Sequence, residues 1–399
     1  MEHAGAAYWT LLVGTPIALA VVVWRFPPPA APMPDYLRDA VQYAATGHIS
    51  DTTYPLAFAW LAGVALRVLG PGPGGWELLQ AAFYVSAVVI VWALARRSGA
   101  DLRASLGAGL LTALYPELGV SVAKFWDLEM SVWLMTVFML LCLLLWQRGP
   151  RTLLIVLFGL AAGLAMAQRP NMALLMPLPA WLCLKAKATL QRRVAAIAGA
   201  GALAAATLVG INTAAHGSFF LSQNGPYNFV QGHNEFTVQT LLDDLSCEPS
   251  VGMILKADGM QSAGFNEADP ALQVYFRRRA FAYIRSHPLG EVRITAVKLW
   301  TLFRPNTRLH HGVSVMTAAI VAPSLIFPVW IVLLAARWKR AGLDAVESLF
   351  LAATVLYALP FLITSSDPRY QVPLEVCMLA HIAAMLTRIR AVQPAAVQD

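Results

Sequence analysis

The sequence predicts an all-α polytopic membrane protein: about ten transmembrane helices, with further helices lying on the outer face. Three observations carry this prediction. Hydrophobic residues make up 58% of the 399 positions and charged residues only 13%, so the bilayer is the main solvent. Apolar windows recur along the chain, and mean hydropathy is +0.59. Lys and Arg collect in alternate breaks between these windows, as the positive-inside rule requires of cytoplasmic loops.

The expected spans are 8–25, 76–95, 104–120, 128–147, 152–167, 171–185, 194–213, 314–336, 345–364 and 370–387. Several are short, which predicts an uneven bundle. The first has a rival reading as a cleaved signal peptide. It lacks a basic n-region (Met1, Glu2, His3), and FPPPAAPMP offers no clean small-x-small site, so a retained span is expected. With the N-terminus inside, the clusters Arg96/Arg97/Arg103, Arg148/Arg151, Lys185/Lys187/Arg192/Arg193, Arg337/Lys339/Arg340 and Arg388/Arg390 all fall on the cytoplasmic side. Residues 26–75, 121–127, 168–170, 214–313 and 365–369 then face outward. The net charge of +7 is thus a topology signal, and no nucleic-acid partner is expected.

Residues 54–69 are also apolar, but a span there would reverse every later loop. The segment is short, carries Arg67 and ends at GPGPGG. It is read as an interfacial helix, paired with a second over 34–46. The long polar stretch 214–313 begins with turn residues and regains helical pattern at 269–287 and 288–303. Three regions follow: a transmembrane module 1–213 whose first outer loop is 26–75, an outer-face region 214–313, and C-terminal spans with a cytoplasmic tail 314–399. Cys142, Cys183 and Cys377 lie in apolar runs and Cys247 in the polar loop, with no metal-ligand spacing. All four are read most simply as core residues.

Two acids stand out because charges near a membrane face need a reason. Asp35 follows the first span and Asp127 opens the fourth. The simpler reading makes each a helix cap, with Pro34 beside Asp35 and Glu129 in the turn after Asp127. Asp39, one turn from Asp35, and Asp51, in SDTTYP, are local competitors. Glu117 is a further acid near Asp127, and Lys124 is placed to pair with Asp127. Two carboxylates and waters offer a possible site for Mg²⁺ or Mn²⁺; no metal ligand set is assigned. His310-His311 are adjacent and rarely converge on one ion, and Arg277–Arg279 read as a solvated face.

Seven phrases in order resemble the GT-C superfamily of membrane glycosyltransferases, whose members include protein O-mannosyltransferases and lipid A aminoarabinose transferases. They are PDYLRDAVQYAATGHI, YPLAFAWLAGVALRVLG, WELLQAAFYVSAVVIVWALARR, LYPELGVSVAKFWDLEMSVWLM, GLAAGLAMAQRPNMALLMPL, AFAYIRSHPLGEVRITAVKLWTLF and SDPRYQVPLEVCMLA. Together they extend over roughly residues 1–390. The first departs from the family's frequent Asp-Glu pair, since Tyr36 holds the second position.

The resemblance implies a GT-C-like bundle that moves a sugar from a polyprenyl-phosphate donor to a lipid, glycan or protein acceptor on the outer face of a bacterial inner membrane. An acceptor hydroxyl must lose its proton as it attacks the anomeric carbon, and a partly desolvated carboxylate suits that task. Asp35 is assigned this role and Asp127 an orienting one. The departing phosphate calls for cations; Arg369, Arg169 and Lys124 are the candidates, arginine offering a two-toothed fork. The competing reading of these arginines is interfacial anchoring. Tyr370, His233 and Asn234 are expected to contact substrate, while Asn228 and Gly232 suit turns. Two other readings stand beside transfer. A transporter or flippase predicts mid-membrane charges and a repeat relating two halves, and neither is visible. A non-catalytic scaffold is kept open by Tyr36.

Overall fold

The computed structural model describes the chain except residues 1–4, 26–33, 52, 71–73, 123–125, 186–187, 220–222, 245–246, 248, 261–264, 268, 304–324, 366–369 and 393–399. The described residues form α-helices and one 3₁₀ turn, with no strand among them. Six helices are long and apolar enough to cross a membrane: α1 (Ala6–Arg25), α4 (Gly74–Arg97), α7 (Leu128–Arg148), α10 (Leu190–His216), α17 (Ala345–Ile363) and α18 (Val372–Val392).

The remaining expected spans are shorter or broken, and proline explains two of them. The span over 104–120 divides into α5 (Leu102–Ala113) and α6 (Pro116–Ser121). Pro116 cannot donate to the preceding turn and pushes Tyr115 into extended geometry. The span over 171–185 opens as a 3₁₀ turn, Pro170–Leu175, and continues as α9 (Pro177–Lys185). Between these lies α8 (Thr152–Gln168). Residues 314–324 of the span expected over 314–336 lie outside the described residues; α16 runs from Ile326 to Ala341.

Polar contacts gather the basic helix ends at one end of the bundle. Arg388 of α18 donates to the Ser98 carbonyl (2.7 Å), to Asp344, and to Glu347 (3.3 Å). Arg337 of α16 donates to the same Glu347 (2.8 Å), and Gln147 of α7 to the Arg97 carbonyl (2.7 Å). Asp344 and Glu347 also form a capping box that starts α17, so two orphan N–H donors are satisfied reciprocally. Consequently α7 starts, and α8, α10 and α17 finish, at the opposite end.

That opposite end carries the short helices. The chain leaves α1 for α2 (Pro34–Thr46) and α3 (Ala57–Leu69), close to the expected 34–46 and 54–69. Gly63 lets α3 lie against α2; a Cβ there would meet the Tyr43 side chain at 2.8 Å and the Ala40 carbonyl at 2.9 Å. The stretch after α10 supplies α11 (Gly225–Gly232), α12 (Thr237–Asp244), α13 (Pro249–Ala257), α14 (Pro270–Ser286) and α15 (Pro288–Phe303). A small apolar core of Tyr227, Val230, Ile254, Leu255 and Phe276 joins α11, α13 and α14. It is separate from the large core between the long helices. Cys247, expected in a polar loop, is fully buried, and Cys142, Cys183 and Cys377 are buried too.

Candidate active site

The start of α2 presents a cluster built around one cation. Arg38 donates to Asp35 (3.1 Å), to Asp39 (3.3 Å) and to Asp51. Asp35 and Arg38 are one helical turn apart and therefore share a face. Asp51 also accepts from the Thr53 N–H (2.7 Å), the local turn that SDTTYP suggests. The three carboxylates differ in access. The Asp39 side chain is 3% exposed, Asp51 25% and Asp35 35%. Burial first, and the neighbouring Asp51 carboxylate second, push the Asp39 carboxyl up to about 6 against the pull of Arg38. Asp35 is the most accessible of the three and has Arg38 as a fixed partner.

The second cluster is sealed. Asp127 sits at the N-cap position of α7 but makes no side-chain cap, so the capping account of this residue gives way to another. Its Oδ2 accepts from Arg169 (3.0 Å) and from Gln168 (2.9 Å). Arg169 also donates through Nε to Ser131 Oγ (2.7 Å), one turn into α7. Asp127 and Arg169 are both about one-tenth exposed. A buried pair of this kind must be nearly complete in hydrogen bonds to offset desolvation, and Gln168 and Ser131 supply the missing bonds. Glu129 likewise turns inward, accepting from Gln80 (3.2 Å) and from Ser121.

Several contacts bring the two clusters to one end of the bundle. Gln168 Oε1 accepts from the Phe58 N–H at the start of α3 (2.9 Å) while its amide holds Asp127. The Phe58 ring meets the ring of Tyr36 at 5.7 Å, and Tyr36 follows Asp35. The Arg169 guanidinium lies 5.2 Å over the Tyr370 ring, within the range of a cation–π contact. Tyr370 in turn stacks on Phe361 of α17 at 4.4 Å. Tyr36, which replaces the second acid of the resembled Asp-Glu pair, is a buried ring that packs α2 onto α3.

The other expected site residues distribute unevenly. Lys124 and Arg369 lie outside the described residues, as do His310 and His311. Tyr370 stands in the Arg169 layer. Asn234 is fully buried and donates to the Val230 carbonyl (2.7 Å) and to Ser250 Oγ (2.9 Å); these bonds tie α11 to α13 and present nothing to a substrate. His233 is also turned inward, between Glu291 (2.6 Å) and the Ile363 carbonyl (2.5 Å). Burial, then the nearby Lys298 ammonium, push the His233 imidazole down from its usual range. Arg279, expected on a solvated face, pairs with Glu235 and Asp258 (3.3 Å). Sequence reasoning passed over Arg38 and Gln168. The signal for Arg38 was its spacing from Asp35; Gln168 carried only its place beside Arg169.

An apolar cavity of about 400 Å³ lies between α7, α8, α9 and α10, lined by Phe158, Met166, Met176, Cys183, Ala200 and Leu208 among others. Met166 is one turn before Arg169, so the cavity runs from just beneath the sealed pair toward the basic end. Among the described residues no group of three or more His, Cys, Asp or Glu side chains is gathered as a metal site.

Residues 53–211 match the family model of dolichyl-phosphate-mannose-protein mannosyltransferases. No curated protein sequence matches the chain. Two crystal structures of the Archaeoglobus fulgidus oligosaccharyltransferase align with it, the apo form over 98% of this chain (TM-score 0.48, 13% identity) and the complex with Zn and sulfate over 96% (TM-score 0.49, 14% identity). The chain spans about half the length of these structures, 52% in each case. The segment matched by the family model runs from the loop before α3 into α10 and so contains Asp127, Gln168 and Arg169.

Proposed function

We propose that this protein moves a sugar from a polyprenyl-phosphate donor to an acceptor hydroxyl on the outer face of the membrane, with inversion and with Asp35 as general base. The observation that carries the reading is the contrast between the two acids. Asp35 is reachable, while Asp127 is locked by Arg169 and Gln168. A base must reach the proton that it takes. In this reading the acceptor oxygen bonds to the anomeric carbon as its proton passes to Asp35. The bond from that carbon to the phosphate oxygen breaks, and its electron pair leaves with the lipid phosphate.

Asp127 then acts through Arg169, whose remaining donors and Tyr370 layer face the developing phosphate charge; Lys124 and Arg369 are further cations for this role. Arg38 holds Asp35 in place between Asp39 and Asp51. The apolar cavity beside α8 suits the first isoprene units of a lipid tail, because it begins one turn from Arg169. The basic helix ends at the far end of the bundle support an outward-facing site, and a bacterial inner membrane is the setting proposed.

The test is transfer from radiolabelled polyprenyl-phosphate-mannose to a bacterial envelope extract, by purified protein in nanodiscs. Asp35→Asn should lower kcat by about 10²–10⁴-fold, the usual contribution of a general base, while the protein elutes and melts like wild type. Retained transfer by Asp35→Asn removes the base assignment.

A further inference from the structure

The last carbonyls of a helix have no partners within it, and at the end of α17 two of them are held from outside. Lys298 of α15 donates to the Leu362 carbonyl (3.1 Å), and His233, just past α11, bonds the Ile363 carbonyl through Nε2 (2.5 Å). Glu291, two turns before Lys298 on α15, holds the other ring nitrogen of His233 at 2.6 Å. The carbonyl can only accept, so Nε2 carries a proton, and the Nδ1–Glu291 contact holds a second proton on one of its two partners; the two bonds fix the ring's orientation. Lys298 is completely buried. A buried ammonium is costly and needs a compensating partner, and the negative end of a helix dipole is a favourable place for it.

Gly232 allows this approach. A Cβ on it would stand 2.0 Å from the Thr364 carbonyl and 2.6 Å from Lys298 Nζ. So α11, α15 and the end of α17 meet at one point, in backbone contact. From that point a chain of contacts leads to the candidate site. Phe361 precedes Leu362 and stacks on Tyr370; Tyr370 lies under Arg169; Arg169 holds Asp127.

We infer that Lys298 and His233 are positioning residues: by gripping the end of α17 they set the Phe361–Tyr370 stack beneath Arg169, and so make the donor side of the site depend on the docking of α11 and α15. The role assigned to the donor rests on the glycosyl-transfer reading; the grip itself does not. Glu291 serves by orienting His233. None of the three touches substrate. Neighbouring Cys247, also buried, completes the charged and polar surroundings of Lys298.

The test uses the full-length protein in nanodiscs and two unlike perturbations. Lys298→Met removes the donor and keeps the bulk; Gly232→Ala keeps every donor and forces the elements apart. Amide hydrogen exchange needs no substrate. In both variants the peptide covering 361–371 should exchange about tenfold faster, because its opening free energy falls locally, while the α7 peptide covering 131–145 stays as in wild type. Unchanged exchange at 361–371 in both variants overturns the grip. The second arm measures transfer from polyprenyl-phosphate-mannose. The Michaelis constant for the donor should rise about fivefold or more in both variants, with kcat per folded molecule much less affected, as expected when ground-state binding is weakened. Faster exchange with an unchanged donor constant makes the grip purely structural and overturns the positioning role. If wild type transfers nothing, the donor reading fails, and the exchange arm alone decides whether Lys298 and His233 hold the stack.

Discussion

Asp39 is the residue whose state depends most directly on the arrangement around Arg38. Its carboxyl lies under Arg38 and is held up to about 6 by burial and by Asp51. A carboxyl raised in the folded protein binds its proton more tightly there than in the unfolded chain. Its contribution to stability is therefore complete below the ordinary carboxylate range near 4 and is lost as pH rises through about 6. Asp39→Asn lacks this component. The melting-temperature difference, Asp39→Asn minus wild type, should accordingly be more positive at pH 7.5 than at pH 4.5 in detergent thermal unfolding; a difference that does not move with pH contradicts the assignment. The acids at the site were legible in the sequence because carboxylates at span ends stand out in an apolar chain. Their partners were not. Arg169 reads equally well as an anchor at the membrane surface, and only the fold brings it within 3.0 Å of Asp127. His233 and Asn234 read as exposed loop residues, whereas the α11–α13 core turns them inward.

At the scale of elements, the site depends on a tight approach of α8 to α10. Gly159 and Gly163 are four residues apart on α8 and face α10. A Cβ at Gly163 would lie 2.5 Å from both the Ala204 carbonyl and Thr207 Cβ; one at Gly159 would lie 2.8 Å from Leu203 Cβ. Small residues at this spacing let helix backbones approach in a membrane. Because Gln168 and Arg169 end α8, the crossing also sets their height against Asp127. Gly163→Val should destabilise the protein by about 1–3 kcal/mol, the usual cost of overfilling a packed contact, seen as a lower melting temperature, whereas Gly107→Ala, where a Cβ meets nothing, should not lower it. Equal behaviour of the two variants would mean that the crossing is not tight. Helix positions followed well from apolar windows and flanking charges, and α14 and α15 begin at the prolines that mark them. The missed features were the interruptions. Hydropathy is blind to whether Pro116 or Pro177 opens a new helix or sits inside an old one, since the apolar run continues through both.

For the whole molecule, the basic helix ends and the polar helices define two unlike ends, and the candidate site is at the second. The positive-inside pattern was readable because it sums over many residues, none of which has to be placed exactly. The role of the stretch after α10 was not readable, because its contacts are with backbone carbonyls of α17 that carry no signature in side-chain chemistry. Function at this scale rests on the donor. The deciding measurement is a side-by-side transfer assay of purified wild-type protein in nanodiscs, offering mannose either on polyprenyl phosphate or on a nucleotide diphosphate, with an envelope extract as acceptor. Label should move only from the lipid-linked donor and should stop in Asp35→Asn. Transfer from the nucleotide sugar, or none from any lipid-linked sugar by well-folded protein, would contradict the account.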